Sequence, residues 1–436
     1  MKRILIYANA HERDAFEFAK SEPGKAVYDR WIGSGILPGI NSGNRVWMQG
    51  LVSEIETDGN EITFYDHEMT ADQINERFDL VILSMANVFG AEYALTLGPL
   101  TGFFSGIRIP TYVIACGLQA KTEEEIPALA DTIGDVSCRF LETIYATGGE
   151  FALRGAYTKR FFDLVKPDNT AVVTGCPSLF QLGRDFSVDT ERKVPFGDFK
   201  ALLTGDDVFA DYPRLDLARE NAVFIDQYVY AHQLFANEDL TAIARANPVE
   251  AMKRIRALIQ KDNGSYMTEL LLADKIRLFY SPNVWRNFIQ KERFSFAYGN
   301  RIHGSIMAIL SGVPTLIAAE DLRVREIAEH FAIPHETSRD REVTMPSLYE
   351  KYLDVDYSDF NKRYRIAFDV YEGFLRRCGV CEALHQKNAF FVPLTDAAYE
   401  QLAAMPLDRV RGKLRRTYSL YGALRGGKQF LKGKNN

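Results

Sequence analysis

A short polar elbow between an apolar strand and an apolar helix, at residues 296–310, is the densest chemical signal in the sequence. Its candidate site residues are Asn300, Arg301, His303, Gly304 and Ser305. A guanidinium can bind phosphate or carboxylate through two parallel hydrogen bonds, and an imidazole, with an ordinary pKa of about 6.5, can exchange a proton near neutral pH. The elbow therefore predicts an anion site with a proton-handling group. An interdomain ion pair for Arg301 and a structural hydrogen bond for His303 are the alternatives.

The place of this elbow in the chain supports an anion site. Ligands bind open α/β sheets where the strands end, and the free N–H groups at the start of a helix attract anions; we expect Ser305 to cap this helix. A second strand–turn–helix pattern follows at residues 312–327, where Asp321 can cap the helix and Arg323 lies in its first turn. A cation there opposes the helix dipole, so Arg323 is expected to have an anionic partner, either a ligand or Glu326.

Arg154 is the matching candidate in the first half of the chain. It lies just before a helical pattern that carries Phe161, Phe162 and Leu164, so it is either an anion ligand or a member of a surface ion pair. Cys176 lies in a Gly/Pro turn after the next strand. We expect Cys176 to be a structural thiol, because no base is identifiable beside it.

No metal site and no bound cofactor are predicted. Cys378, Cys381 and His385 offer three ligands, whereas a structural zinc ion needs four. The sequence also contains neither a GxxxxGK[ST] phosphate-binding loop nor a GxSxG nucleophile elbow.

The secondary structure predicted around these residues follows an alternating pattern. Short apolar runs alternate with longer helical patterns, which is typical of parallel sheets covered by helices. Strands are predicted at Ile4–Tyr7, Leu80–Ser84, Thr111–Ala115 and Ala171–Thr174, and in a second set at Ala222–Gln227, Arg277–Tyr280, Ser295–Tyr298 and Pro314–Ala318. The sequence therefore predicts an α/β fold with two sheets.

The predicted organisation has five parts. These are an α/β domain at 1–180, a linker or insertion at 181–215, a second α/β domain at 216–345, a helical segment at 346–408 and a basic tail at 409–436. In the helical segment, aromatic and apolar residues recur at three- and four-residue steps over 357–377. This spacing predicts a long helix, which we expect to pack across both domains.

Composition limits the partners and the location. The 436 residues include 52 Lys+Arg and 58 Asp+Glu, while nine basic and no acidic residues fall in the tail, so the body is acidic and nucleic acid is not an expected partner. The tail is either a solvated terminus or a contact for an anionic membrane surface or a polyanionic acceptor. Five cysteines are too few for a disulfide scaffold, and no apolar run is long enough to span a membrane. We expect a soluble cytoplasmic protein, with the tail in peripheral contact with the inner membrane face if it binds lipid.

Several motifs together resemble the polysaccharide pyruvyl transferase family over about residues 35–340. The C-terminal signature is similar to Arg301-Ile-His-Gly304, Gly312-Val-Pro314, Asp321-x-Arg-x-x-Glu326 and Ala332-Ile-Pro334. In the first half, the similar segments are Asn41-Ser-Gly-Asn44, Arg154-x-x-x-Thr158 and Gly175-Cys-Pro-Ser-Leu179. Three departures stand out: Gly155 replaces an Asp, Asn44 replaces an Asp, and residues 83–87 lack a Gly-Gly pair.

The resemblance implies two Rossmann-like domains facing a cleft, as in GT-B glycosyltransferases. It implies transfer of the carboxyvinyl group of phosphoenolpyruvate to two hydroxyls of one sugar in a polysaccharide or its precursor, with release of phosphate and no metal. His303 is then the catalytic proton-handling residue. The implied substrate-binding residues are Arg154, Arg301, Asn300, Gly304, Ser305, Arg323, Asn41 and Gly43.

Two other functions stay open on the sequence. One is a GT-B glycosyltransferase that uses a nucleotide sugar, with Glu320 and Asp321 as candidate ribose ligands. The other is a non-catalytic member that binds a glycan, which the changes at Gly155 and Asn44 would favour.

Overall fold

The computed structural model describes most of the chain outside the tail. The described residues are 2–8, 41–55, 59–66, 68–86, 88–191, 193–205, 220–227, 246–247, 249–250, 275–279, 281–337, 343–381, 384, 391, 393–395 and 416. The basic tail and His385 therefore lie outside the described residues, apart from Arg416. Among the described helices, none is long and apolar enough to cross a membrane.

Two parallel six-stranded sheets form the framework, which confirms the predicted α/β class with two Rossmann-like sheets. The strands are β1 Lys2–Tyr7, β2 Asn60–Phe64, β3 Leu80–Ser84, β4 Thr111–Cys116, β5 Phe151–Leu153, β6 Val172–Val173, β7 Ala201–Leu203, β8 Ala222–Asp226, β9 Ile276–Leu278, β10 Phe296–Gly299, β11 Thr315–Ala318 and β12 His335–Glu336. The first sheet has the order β2-β1-β3-β4-β5-β6, and the second has the order β12-β11-β10-β7-β8-β9.

Helices connect these strands and cover the sheets. In the described residues they are α1 Gly43–Ile55, α2 Ala71–Arg77, α3 Ala94–Phe104, α4 Glu125–Ala146, α5 Ala156–Val165, α6 Pro282–Glu292, α7 Ile302–Leu310, α8 Leu322–Phe331, α9 Met345–Asp354 and α10 Ser358–Arg377. Short 3₁₀ turns occur at Ala91–Tyr93, Pro177–Leu182 and Phe196–Asp198.

The first sheet is buried on both faces, because successive side chains of a strand point to opposite sides. In β1, Leu5 packs into one hydrophobic cluster together with residues of α3, α4 and α5. Ile4 and Ile6 pack into another cluster, which contains Trp47 of α1 and continues into the core of the second sheet. The two halves of the chain therefore share one of their cores.

The second sheet places its switch point between β7 and β10. The chain runs outward from β7 through β8 to β9 and then returns to β10 on the other side of β7. Connections on the two sides of a switch point leave a crevice at the carboxyl ends of the strands, which is where open α/β sheets bind ligands. The backbone there is tied by bonds from Thr204 N to Tyr298 O (2.9 Å) and from Arg301 N to Thr204 O (3.1 Å).

The prediction of a linker or insertion at 181–215 is wrong at one decisive place. Strand β7, Ala201–Leu203, lies inside that stretch and pairs with both β8 and β10 in the middle of the second sheet. Its three residues are fully buried, but such a short apolar run is hard to distinguish from a loop by pattern. The second sheet therefore begins at residue 201 and not after 215.

Helix α10 contacts both sheets. The hydroxyl of Tyr357, just before the helix, bonds to the backbone of Thr315 in β11, and near the other end Phe374 packs edge-on against Tyr112 of β4. The residues predicted to form its apolar stripe are all buried; they are Phe360, Tyr364, Ala367, Tyr371 and Phe374. Helix α10 therefore holds together the two halves of the shared core.

Candidate functional site

The polar elbow lies at the switch point of the second sheet. Gly299 ends β10 where a Cβ atom would overlap the backbone of Thr204, so glycine permits the close approach of β7. Helix α7 begins at Ile302, with Arg301 in the N-cap position and without a side-chain cap. The prediction that Ser305 caps this helix is wrong, because Ser305 lies one turn inside it. Its fully buried hydroxyl lies 3.1 Å from that of Thr204.

His303 occupies the first turn of α7 and is only 7% exposed. Burial, together with the charges of Arg154 and Arg301, lowers its pKa to about 3. Its Nε2 atom has no hydrogen-bond partner among the described residues. The sequence predicts an imidazole with both forms present near pH 7, whereas burial among these charges in the structure favours the neutral form.

Arg301 and Arg323 bring two more cations to the same place. Burial and the charge of Arg323 lower the pKa of Arg301 to about 10, which still leaves the guanidinium charged at neutral pH. Arg323 donates to Asp321 Oδ2 at 2.7 Å, and Asp321 also caps α8 by accepting from Val324 N at 3.0 Å. The predicted cap is therefore confirmed. The sequence proposed a ligand or Glu326 as the anionic partner of Arg323. In the structure Arg323 forms its salt bridge with Asp321 and not with Glu326.

Arg154 reaches the site from the first sheet. It follows β5 directly, its backbone N–H bonds to Cys116 O in β4 at 2.9 Å, and its side chain is only 3% exposed. Helix α5 begins two residues later, after the N-cap residue Gly155. Arg154 is therefore a buried cation at the carboxyl edge of the first sheet, and the surface ion pair considered as its alternative is excluded by its burial.

One cavity of about 410 Å³ joins these residues across the two halves. The predicted site residues that line it are Asn41, Arg154, Asn300, Arg301, His303 and Arg323. Further lining residues include Asn44, Tyr93, Gln227, Glu320 and Asp321. The other predicted site residues, Gly43, Gly304 and Ser305, are buried and do not line the cavity. The structure therefore brings the arginines of both halves and the single imidazole together in one cavity.

Asn41 and Gly43 approach the elbow through the start of α1. Asn41 Oδ1 accepts from Gly43 N at 2.9 Å, which closes a tight turn before the helix. A Cβ atom on Gly43 would lie 2.8 Å from His303 Cβ, so glycine permits α1 to approach α7. Asn300 donates to Glu320 Oε2 at 3.3 Å on the opposite side of the elbow.

Two buried polar residues near the cavity were not predicted as site residues. Gln227, directly after β8, lines the cavity. Glu326 of α8 is 2% exposed and accepts from the backbone N–H of Thr158 at 3.1 Å and from its hydroxyl at 2.8 Å. A polar residue at the end of a predicted strand was the available signal for Gln227. Glu326 was visible only as a motif position.

Glu326 joins the two halves in a buried contact. Burial raises its pKa to about 7, although the Thr158 hydrogen bonds and the charge of Arg154 oppose the shift. A Cβ atom on Gly155 would lie 2.6 Å from Glu326 Cβ and 2.9 Å from its backbone oxygen. The glycine at 155, where the resembled family usually has Asp, therefore permits α5 and α8 to pack closely in this chain.

The cysteines offer no reactive pair to this site. All five are free thiols, and burial raises the pKa of Cys176, whose Sγ lies 3.0 Å from Ser178 Oγ. Cys378 and Cys381 are buried, and burial raises the pKa of each to about 12. Across the part of the chain that the structure describes, no group of three metal-ligating side chains occurs.

Comparisons with known proteins agree with the sequence motifs. Residues 41–321 match the family model described as polysaccharide pyruvyl transferase, which confirms the resemblance. A search among curated proteins finds no significant match. Among solved structures, the S. aureus MnaA–UDP co-structure aligns with 89% of this chain and 100% of its own, at 11% identity and a TM-score of 0.37. The glycosyltransferase SnogD from Streptomyces nogalater aligns with 85% of this chain and 94% of its own, at 11% identity and a TM-score of 0.29.

Proposed function

The chain belongs to the polysaccharide pyruvyl transferase family, and from this premise we propose that it transfers the carboxyvinyl group of phosphoenolpyruvate to two hydroxyls of one sugar. The acceptor is a sugar of a polysaccharide or its precursor, the products are a pyruvate ketal and phosphate, and no other cofactor takes part. The observation that carries the proposal is the single cavity lined by Arg154 from the first half and by Arg301, His303 and Arg323 from the second.

The charge of the cavity supports this donor. Phosphoenolpyruvate carries a phosphate and a carboxylate, and guanidinium groups bind both in a fixed, bidentate geometry. Arg154 is almost fully buried and Arg301 is half-buried, so their attraction for an anion is weakened less by water than that of surface arginines. A donor with two anionic groups would bridge cations that belong to different halves of the chain, which holds it in one orientation.

The state of His303 suggests the order of the proton transfers. With a pKa of about 3 the imidazole is neutral before the donor binds. The anionic donor then offsets the charges of Arg154 and Arg301, which favours a protonated imidazole. In the proposed first step Nε2 accepts the proton of the first sugar hydroxyl as its oxygen bonds to the central carbon of the donor. The carbon–carbon double bond opens, and the methylene carbon takes the proton from His303.

The second step completes the ketal. The second hydroxyl of the same sugar bonds to the central carbon, the bond from that carbon to the phosphate oxygen breaks, and phosphate leaves. The proton of that hydroxyl passes to His303 and leaves with the phosphate. His303 thus returns to the neutral form with which it began.

The proposal is tested by phosphate release and by thermal shift. We expect phosphoenolpyruvate to raise the Tm, UDP and GDP to leave it unchanged, and phosphate release to require an acceptor sugar. Stabilisation by UDP or GDP without any effect of phosphoenolpyruvate would instead identify a nucleotide-sugar glycosyltransferase. Donor binding without phosphate release over a panel of acceptor sugars would favour the non-catalytic alternative.

A cytoplasmic location is part of the proposal, because all five cysteines are free thiols, as expected in a reducing compartment. Contact of the basic tail with an anionic membrane remains a separate hypothesis from the sequence. Loss of residues 409–436 is expected to reduce retention on anionic vesicles and to leave activity on a soluble acceptor unchanged. Equal retention with and without the tail would identify a solvated terminus.

A further inference from the structure

Gln227 is a buried polar side chain at the cavity wall whose amide nitrogen has no hydrogen-bond partner among the described residues. It follows β8, is only 2% exposed and lines the cavity. Buried amide groups are almost always hydrogen-bonded, because the bonds to water that they lose must be replaced. An amide without a protein partner at a cavity wall can therefore donate to a molecule in the cavity, either a ligand or a water that the ligand displaces.

The surroundings of Gln227 hold this amide in place. Its backbone oxygen accepts from Ser42 N at 2.8 Å, just before α1. A Cβ atom on Gly43 would lie 2.9 Å from Gln227 Oε1, and one on Gly304 would overlap Nε2. The amide thus fits between the first turns of α1 and α7, where two glycines leave it room. This arrangement fixes the side chain of Gln227 beside His303, the neighbour of Gly304 on α7.

The remaining wall defines what this amide can recognise. Arg154, Arg301 and Arg323 supply positive charge, and the Nε2 of His303 is likewise without a partner in the described residues. An amide N–H adds a directed hydrogen bond to an anionic oxygen and, unlike an imidazole, exchanges no proton near neutral pH. We infer that Gln227 is a donor-binding residue, whose Nε2–H bonds an anionic oxygen of the donor and fixes the donor's orientation against His303.

This inference rests on the proposed function for the identity of the donor, and binding measurements with Gln227→Leu test it. We expect the substitution to raise the Kd for phosphoenolpyruvate at least about tenfold, since a hydrogen bond to a charged group is lost. The Tm without ligand should stay equal or rise, because the substitution removes no side-chain hydrogen bond to the described residues. Gln227→Glu should weaken binding further, because it adds a negative charge.

Gln181→Leu is the matched control. Gln181 is also 2% exposed, but its Nε2 donates to Ser178 O at 2.8 Å inside the protein. We expect this variant to lower the Tm and to leave the Kd for phosphoenolpyruvate unchanged. The two leucine variants should therefore show opposite patterns. A Kd for Gln227→Leu within twofold of wild type would overturn the inference.

Separate titrations with inorganic phosphate and with pyruvate distinguish this inference from the proposed function. The anion whose affinity falls in Gln227→Leu identifies the end of the donor that the amide contacts. If the wild type binds phosphate or pyruvate but not phosphoenolpyruvate, the proposed donor is wrong. A loss of at least about tenfold for the bound anion in Gln227→Leu would then still support an anion-binding amide. If the wild type binds none of the three anions, both proposals fail.

Discussion

Two buried polar regions lie at or beside the cavity, and they differ in whether their hydrogen bonds are already made. The cavity wall, formed by Gln227, Arg301 and His303, contains side-chain nitrogens at Gln227 and His303 that have no partner in the described chain. The seam, formed by Gly155, Thr158 and Glu326, is satisfied: the Thr158 hydroxyl accepts from Leu118 N at 2.9 Å and bonds the Glu326 carboxylate.

This difference separates ligand binding from stability. A satisfied buried contact stabilises the folded chain, and breaking it leaves groups that water cannot reach. A buried group without a protein partner adds no internal hydrogen bond to the folded chain and can gain one from a ligand. Substitutions at the wall should therefore change binding and turnover, whereas substitutions at the seam should change the free energy of unfolding.

The largest effect is expected at His303. His303→Ala should lower turnover by about 10²- to 10⁴-fold, the usual contribution of a general acid or base. The Kd for phosphoenolpyruvate should change little, because the arginines that bind the charges remain. Steady-state phosphate release and calorimetry measure the two quantities. Turnover at the wild-type rate would exclude His303 as the proton-handling residue.

A smaller effect on binding is expected at Arg301. Arg301→Ala should weaken donor binding by about 1.5–3 kcal/mol, the range for hydrogen bonds to charged groups. The control is Arg325→Ala: Arg325 pairs with Glu329 at 2.7 Å and does not line this cavity. Calorimetry with phosphoenolpyruvate compares them. Equal donor affinity in both variants would contradict the assignment of Arg301.

At the seam, removal of one hydroxyl should cost stability. Thr158→Val leaves Leu118 N and the Glu326 carboxylate each with one bond fewer, so the free energy of unfolding should fall by about 1–3 kcal/mol. Thr158→Ser keeps the hydroxyl and should retain most of that stability. Urea unfolding measures the difference. If Val and Ser variants are equally stable, the bond across the seam contributes nothing.

Added volume at the seam should have a comparable or smaller effect. Gly155→Ala places a methyl group 2.6 Å from Glu326 Cβ and 2.9 Å from a backbone oxygen, so α5 and α8 must move apart. Overpacking of this kind costs about 1–3 kcal/mol. The matched control is Gly134→Ala on α4, where the nearest atom to the new methyl group would be 3.9 Å away. A Gly155→Ala protein as stable as the control would show that the seam is not tightly packed.

The smallest expected effect is a dependence of stability on pH. The pKa of Glu326 is raised to about 7. Its contribution to the free energy of unfolding is therefore fully present below its ordinary pKa of 4.5 and is lost as pH rises towards 7. The pKa of His303 is lowered to about 3, so its contribution is present above 6.5 and is lost as pH falls. Between pH 4.5 and 6.5 the two groups therefore change the free energy of unfolding in opposite directions.

Glu326→Gln and His303→Ala should therefore change the pH profile in opposite directions. The glutamine variant should lose less stability than wild type between pH 5 and 7, by about 1–2 kcal/mol, since the His303 contribution is common to both proteins. The alanine variant should lose less stability than wild type as pH falls from 6.5 to 4. Unfolding in urea at each pH measures both. Profiles parallel to wild type would mean that neither group titrates with a shifted pKa.

Much of the framework could be predicted from local patterns. Strand β3 was predicted with its observed ends, and the apolar stripe of α10 is buried as expected, because burial on one face imposes a regular spacing on the sequence. Strands β2, β5, β7 and β12 were not predicted. They are two to five residues long, and such short runs resemble buried loops.

The residue types of the site could be predicted from local sequence, because an Arg-Ile-His-Gly elbow between an apolar strand and helix is a local pattern. The tertiary structure is needed to show that Arg154 and Arg301 face one cavity, since they are far apart in the chain and meet through the order of the strands. It is also needed to show the charge of His303, the burial of Ser305 away from the cavity and the presence of Gln227 at the cavity wall. These properties depend on burial and on neighbours contributed by distant segments, which residue spacing does not encode.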